Sequence, residues 1–112
     1  MQILPQSPRQ GSSAMVKCWF KDSENNGAAV TPESVTWSLM TLDGTIINSR
    51  EDVVIAPASY LEIWLSGDDL AILDETNPYE LRKILVEAVY DNGAEDVPLK
   101  DEGQFSVENI GV

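Results

Sequence analysis

Two stretches of the chain alternate apolar and polar residues with a period of two. YLEIWLS, at 60–66, sets Leu61, Ile63 and Leu65 against Tyr60, Glu62 and Trp64. LRKILVEAVYD, at 81–91, sets Ile84, Val86, Ala88 and Tyr90 against Lys83, Glu87 and Asp91. Successive side chains of a strand point to opposite faces, whereas a helix would scatter these charges around its axis. Both stretches are therefore predicted to be strands with one buried face.

Short apolar runs broken by turn signals recur along the rest of the chain, which is typical of all-β domains. The predicted strands are AMVKCWFK, SVTWSLMTL, TIINSR, DVVIA, YLEIWLS, LRKILVEAVYD and GQFSVENI. Asp43-Gly44 predicts a hairpin turn before TIINSR, because these residues tolerate positive φ. The segment 66–80 is the least strand-like, and a single helical turn is expected there with Ser66 or Asp68 as its N-cap.

These elements predict an all-β fold. About seven strands with alternating faces favour an immunoglobulin-like two-sheet antiparallel sandwich, with Trp37 in its core and no disulfide. A small open β-barrel remains the alternative, because strand number does not separate the two. Residues 15–112 are expected to form this single domain. Residues 1–14, rich in Gln, Ser and Pro, are expected to form a flexible N-terminal arm.

Charge and composition exclude several classes of function. The chain has 19 Asp and Glu against seven Lys and Arg, a formal net charge of −12, so binding to nucleic acid by phosphate neutralisation is not expected. It has no histidine, which removes histidine-based catalytic arrangements and imidazole metal ligands. We therefore expect no enzyme and no cofactor. No apolar run is long enough to span a membrane, and no secretory signal pattern is present.

The segment DSENNGAAVTPE, at 22–33, comes close to an EF-hand calcium loop. Asp22, Glu24, Asn26 and Gly27, followed by Glu33 at the twelfth place, almost satisfy that pattern. An EF-hand, however, requires flanking helices, and both flanks here are predicted strands. The segment is interpreted as a turn between strands, and no metal site is predicted.

Four further groups of residues are candidates for a site. Asp68 with Asp69, and Asp74 with Glu75, are interpreted as loop and capping residues, and DNGAED (91–96) as a turn. Cys18 is interpreted as a small core residue, since no cation near it in the sequence would make it nucleophilic.

One sheet face remains as a possible interaction site. Tyr60, Glu62 and Trp64 should project away from the core, and Trp19 adds a third aromatic ring. Three interpretations stay open for this face: cover by a loop of the same chain such as 66–80, contact with another protein, or stacking against sugar rings.

Four parts of the chain form a recognisable order: F-K-D-x-x-x-x-G-x-x-V-T-P-x-S-V-T-W-S-L-x-x-x-D-G-T-I-I-N-x-R, then Ser59–Leu70, Arg82–Asp91 and PLKDEGQFSVENI. This order, over about residues 19–110, resembles that of a family of small proteins encoded among the virion genes of tailed bacteriophages and prophages. Its marker positions are Asp22, Gly27, Pro32, Trp37, Asp43, Gly44, Asn48, Gly67, Asp69 and Tyr90. These are turn and core residues, with no catalytic motif among them.

The resemblance implies a β-sandwich accessory or morphogenesis protein of the virion. On this basis we expect a non-enzymatic structural module that contacts protein subunits, either further copies of itself or virion neighbours. It would be made in the host cytoplasm and could join the virion. A carbohydrate-binding β-sandwich and an acidic inhibitor that mimics DNA are the alternative functions.

Overall fold

Strands form where the alternation predicts them. The computed structural model describes residues 1–22, 28–91 and 93–111. Its strands are β1 (Gln2–Leu4), β2 (Ser13–Trp19), β3 (Lys21–Asp22), β4 (Ala28–Ala29), β5 (Ser34–Met40), β6 (Val53–Ile55), β7 (Tyr60–Ser66), β8 (Tyr79–Asp91) and β9 (Asp96–Glu108). A short 3-10 helix, Gly67–Leu70, follows β7. Ser66 is its N-cap, as predicted.

The strands build two main antiparallel sheets. One has three strands in the order β1-β2-β7 and the other has four in the order β6-β5-β8-β9, while β3 and β4 pair only with each other. The prediction of an all-β, two-sheet antiparallel sandwich is confirmed, and the sheets of the described residues do not close into a barrel.

The sheet orders correspond to an immunoglobulin-like arrangement. In that fold, strands A, B and E lie in one sheet, and strands C′, C, F and G lie in the other. Here β1, β2 and β7 take the first set of places, and β6, β5, β8 and β9 take the second. Trp37 on β5 is 6% exposed, inside the core as expected.

The core is filled by one face of each sheet. On β7 the buried apolar residues are Leu61, Ile63 and Leu65, and on β8 they are Ile84, Val86, Ala88 and Tyr90. Both sets are those the alternation predicted. Cys18 faces the same core from β2, where burial raises the pKa of its thiol to about 11, so the prediction of a core cysteine is also confirmed.

The N-terminal segment, for which we expected a flexible arm, packs onto the sandwich. β1 pairs with β2, and Ile3 is 3% exposed. Gln6 to Gln10 then run beside β9, where Ser106 N–H donates to the Gln6 carbonyl and Glu108 N–H to the Pro8 carbonyl. The segment thus uses both sheets, and many of the hydrogen bonds that hold it there are made by the backbone, which composition does not reveal.

The predicted return strand TIINSR is wrong. Met40 and Ile46 form one isolated bridge, and no ladder continues from it. The turn itself is confirmed, since Gly44 has a φ of 95° and Thr41 N–H donates to the Thr45 carbonyl. Beyond it, Asn48 and Ser49 take φ values of 53° and 55°, a left-handed conformation that ends strand geometry.

The near-match to a calcium loop is flanked by strands, as predicted. β2 precedes it and β5 follows it, and no EF-hand helix is present in these described flanks. Within the segment, β3 and β4 form a two-residue antiparallel ladder on either side of residues 23–27. Residues 23–27, which include Glu24, Asn26 and Gly27 of the calcium-loop pattern, lie outside the described residues.

Candidate functional site

The outer surface of the three-stranded sheet carries an unusual set of side chains. We define the aromatic face as Met15, Lys17 and Trp19 of β2 together with Tyr60, Glu62 and Trp64 of β7. The alternation that sends Leu61, Ile63 and Leu65 into the core sends the β7 members of this face outward. All four residues singled out in the sequence, Trp19, Tyr60, Glu62 and Trp64, are therefore on one surface.

The three aromatic side chains of this face are accessible. Trp64 is 63% exposed, Trp19 47% and Tyr60 38%. The segment from the 3-10 helix to β8 therefore does not bury them, which removes the first of the three interpretations of this face. An aromatic ring left in water retains apolar surface whose burial by a partner would be favourable.

The β2–β7 register arranges the aromatic face in three rows. Met15 lies opposite Trp64, Lys17 opposite Glu62, and Trp19 opposite Tyr60. Rows on one face are separated by two residues, or roughly 7 Å along the strands. A charged row thus lies between two apolar rows. Leu4 of β1, opposite Met15, continues the first row and is 42% exposed.

The third row is a packed aromatic pair. The ring centroids of Trp19 and Tyr60 are 5.4 Å apart, with their planes tilted by 38°. Partial burial, the charge of the neighbouring Glu62 and a hydrogen bond with that carboxylate raise the pKa of Tyr60. The influence of Glu62 on the Tyr60 hydroxyl links the aromatic row to the charged row.

A buried carboxylate, that of Asp69, lies in the 3-10 helix that follows β7. The side chain of Asp69 is 1% exposed. It accepts hydrogen bonds from Arg50 Nε (2.8 Å), Asn48 Nδ2 (2.8 Å) and the Ser66 backbone N–H (3.1 Å). Burial alone would raise the pKa of Asp69, but these donors and the Arg50 charge lower it. The Arg50 guanidinium also lies 5.6 Å from the ring centre of Trp37.

The same contacts explain why TIINSR is not a strand. Its last residues turn to direct Asn48 and Arg50 towards the carboxylate. Asp68, which the sequence places beside Asp69, is exposed, so the two carboxylates do not form a pair. The carboxylate oxygens of Asp69 accept hydrogen bonds from groups of the same chain, so this residue acts as a structural anchor.

A second buried ion pair, which the sequence interpretation missed, lies at the start of β8. Arg82 is 2% exposed, and its Nη2 donates to Glu80 Oε1 at 2.8 Å and to the Ala71 carbonyl at 3.1 Å. Glu80 also accepts from the backbone N–H groups of Leu73 and Asp74 and from Asn77. Burial would raise the pKa of Glu80, but these donors lower it to about 2.

A signal for this pair was present in the sequence. Continued backwards from Ile84, the alternation of β8 places Arg82 and Glu80 on the core face. An arginine on a core face requires a partner, and a glutamate two residues away can supply one. The pair ties the segment before β8 to the sheet.

Two of the other carboxylates considered in the sequence accept hydrogen bonds within turns. Asp74 accepts from Thr76 N–H and Thr76 Oγ1, and Asp91 accepts from Gly93 N–H. Within residues 1–22, 28–91 and 93–111 there is no group of three or more Cys, Asp or Glu side chains placed to hold a metal ion.

A groove of about 200 Å³ opens between the sheets at the end of β2. Its walls are Cys18, Trp19, Phe20, Lys21, Val86, Leu99, Lys100 and Asp101. With the Cys18 pKa raised by burial, this groove contains no activated thiol.

Comparison with known proteins returned no match. No family model, no curated protein and no solved structure is significantly similar to the chain. In the part of the chain that the structure describes, no helix has the length and apolar character needed to cross a membrane.

Proposed function

We propose that this protein is a non-enzymatic structural module that makes protein–protein contacts through the aromatic face. The observation that carries the proposal is the exposure of Trp19, Tyr60 and Trp64 on one side of one sheet. Trp and Tyr are enriched among the residues that dominate protein interfaces. A rigid sheet presents them at low cost in conformational entropy, because the strands fix their positions before binding.

The arrangement of the rings favours a protein partner over a sugar. Trp19 and Tyr60 pack against each other at a 38° tilt, so they do not form one flat platform for a sugar ring. Trp64 lies four residues along β7 from Tyr60, roughly 13 Å away, with Glu62 between them. Apolar anchors separated by charged groups are typical of protein interfaces.

A non-enzymatic role is supported by the environment of the perturbed ionisable groups. Asp69 and Glu80 are each occupied by donors of the same chain. Cys18 is buried, with its pKa raised to about 11. In each case the perturbed group is accounted for by its role in the fold.

A place in a virion, or in virion assembly, is supported by the resemblance of residues 19–110 to virion-gene proteins of tailed phages and prophages. Such particles are built from repeated subunits, in which small β-sandwiches can serve as contact modules.

Particle composition tests the proposal. Virions would be purified from a phage or induced prophage that encodes this chain, carrying the wild-type gene, Trp64→Ser or Val54→Ser. Val54 is the control, because it is 82% exposed on β6 of the other sheet. Mass spectrometry should detect the wild type and Val54→Ser in particles, with Trp64→Ser strongly depleted. Absence of the wild type would refute the virion role, and equal incorporation of both variants would refute the role of the aromatic face.

Sugar binding is tested on the purified protein. Polysaccharides should leave the tryptophan fluorescence of the wild type unchanged. Quenching that is lost in Trp64→Ser would contradict a protein-contact role and favour a carbohydrate-binding module.

A further inference from the structure

The aromatic face has the chemistry to bind a second copy of itself. Each of its three rows joins one residue of β2 to a chemically complementary residue of β7. Two rows are apolar or aromatic at both positions. The middle row joins a cation, Lys17, to an anion, Glu62.

Two copies placed face to face are complementary when a two-fold axis relates them. The axis lies in the plane of the interface, parallel to the strands and between β2 and β7. This rotation places β2 of one copy over β7 of the other and keeps every residue at its own height along the strands. Met15 then meets Trp64, Trp19 meets Tyr60, and Lys17 meets Glu62 of the second copy. The interface contains each of these contacts twice, as an isologous contact requires.

Charge selects this axis over the other in-plane choice. An axis perpendicular to the strands, along the middle row, would place Lys17 over Lys17 and Glu62 over Glu62. Like charges brought together and desolvated in an interface cost free energy. Only the axis parallel to the strands pairs opposite charges.

We propose that the aromatic face is a homodimer interface, with Lys17 of each copy paired with Glu62 of the other. This proposal rests on the proposed function, because it names a second copy of the chain as the protein that contacts this face. Leu4, at the margin of the first row, would cover the edge of the contact.

The size of the face sets the expected affinity. Two strands of seven residues, β2 and β7, measure roughly 10 by 23 Å, and the three-residue β1 adds little at one edge. The face is therefore smaller than a standard stable interface of about 800 Å² per partner. The dimer is therefore expected to dissociate in the micromolar range, with its affinity supplied by the aromatic residues.

Charge reversal followed by mixing tests the pairing. In Lys17→Glu, two glutamates meet across the interface, and in Glu62→Lys, two lysines meet. Each variant alone should weaken dimerisation by about tenfold or more in sedimentation velocity. An equimolar mixture restores both opposite-charge contacts, so dimers should reappear when the two variants are combined.

A matched pair on the other sheet serves as the control. Lys100 lies opposite Glu87 on β9 and β8, with Nζ and Oε2 3.7 Å apart. Lys100→Glu and Glu87→Lys change the net charge as the test variants do, and each alone should dimerise like the wild type. Circular dichroism and melting curves establish that every variant is folded, since a like-charged cross-strand pair destabilises a sheet only modestly.

The outcomes separate this inference from the proposed function. Restoration by mixing only for the Lys17 and Glu62 variants supports the homodimer. A wild type that is monomeric up to high micromolar concentration overturns it. It is also overturned if the Lys100 and Glu87 variants, rather than the Lys17 and Glu62 variants, weaken dimerisation alone and restore it when mixed. If the protein is monomeric while Trp64→Ser is still lost from particles, the homodimer is refuted and contact with a different protein stands. If Trp64→Ser is also incorporated normally, both proposals fail.

Discussion

Asp68 and Asp69 are neighbours in sequence with different roles in the fold. Asp68 is exposed, whereas Asp69 is buried and accepts hydrogen bonds from Arg50, Asn48 and the Ser66 backbone. At the residue scale, much of what positions the segment between β5 and β6 therefore depends on one carboxylate. Nothing in the segment GDDL distinguishes the two aspartates, because their different orientations arise only when the 3-10 helix forms.

Replacing Asp69 by alanine should destabilise the fold strongly. The change leaves donors of Asn48 and Ser66 without their acceptor and releases the Arg50 side chain, at a cost of about 2–3 kcal/mol in the free energy of unfolding. Urea denaturation measures this cost. Asp68→Ala is the control and should lie within about 0.5 kcal/mol of the wild type. Equal effects of the two substitutions would show that the hydrogen bonds of Asp69 contribute little.

The N-terminal segment gives a second test at this scale. Ile3 is 3% exposed, whereas the neighbouring Leu4 is 42% exposed. Ile3→Ala should cost about 2 kcal/mol, at the low end for a buried isoleucine because β1 is short and can relax. Leu4→Ala should cost much less. Denaturation in dilute solution compares the two, and an Ile3→Ala variant as stable as the wild type would indicate that residues 1–14 are a free arm after all.

At the scale of elements, the period-two pattern predicted the sandwich. β7 and β8 lie close to the predicted bounds because each combines an uninterrupted alternation with a single buried face. The pattern failed at TIINSR, whose apolar residues resemble a strand. Its path is decided by the hydrogen bonds that Asn48 and Arg50 donate to Asp69, which lies about twenty residues further along the chain. Pairing at that distance leaves no local signal.

The aromatic face also combines features that the local pattern predicts with features that pairing between distant strands decides. The outward orientation of Tyr60, Glu62 and Trp64 followed from alternation alone. Their juxtaposition with Met15, Lys17 and Trp19 depends on the β2–β7 register, and register is set by the packing of the whole sheet. The sequence therefore predicted four members of the face, Trp19, Tyr60, Glu62 and Trp64, but not Met15, Lys17 or the rows.

The segment before β8 should make the protein sensitive to acid. The pKa of Glu80 is lowered from 4.5 to about 2. A carboxylate with a lowered folded-state pKa contributes stability that is complete above its unfolded pKa and is lost as pH falls through the folded value. Glu80 should therefore contribute up to about 3 kcal/mol above pH 4.5, and lose it between pH 4.5 and about 2.

Glu80→Gln isolates this contribution. The unfolding free energy of the wild type should fall more steeply than that of the variant between pH 4.5 and 2, when both are followed by denaturant titration. Asp69, whose pKa is also lowered, remains in both proteins, so the variant should retain part of the acid sensitivity. Parallel pH profiles would contradict a structural role for the Glu80 hydrogen bonds.

The β3–β4 segment gives a prediction about calcium. Both flanks of residues 23–27 are strands rather than EF-hand helices, and EF-hand geometry depends on helices to direct its ligands. Millimolar calcium should therefore leave the melting temperature almost unchanged, with magnesium as the control. A calcium-specific rise of many degrees would show that this segment does bind the ion.

At the scale of the whole molecule, one sheet is distinguished by the chemistry of its outer surface. The four-stranded sheet has Val54, Tyr79 and Leu81 exposed on separate strands or near its ends, and the three-stranded sheet concentrates its aromatic side chains in two adjoining strands. With a net charge of −12, two copies repel each other at long range, so short-range complementarity must supply the attraction. Added salt should therefore have two opposing effects on dimerisation. It weakens the Lys17–Glu62 contacts, and it reduces the repulsion between the two copies.

Contact between two copies through the aromatic face makes the mass of the protein depend on concentration. Sedimentation equilibrium over a micromolar concentration series measures this directly for the wild type, Trp64→Ser and Val54→Ser. We expect the mass of the wild type and of Val54→Ser to rise with concentration from the 12.3 kDa of one chain towards twice that value, while Trp64→Ser remains monomeric. A wild type that stays at the monomer mass throughout, or a Trp64→Ser variant that associates as Val54→Ser does, would contradict this expectation.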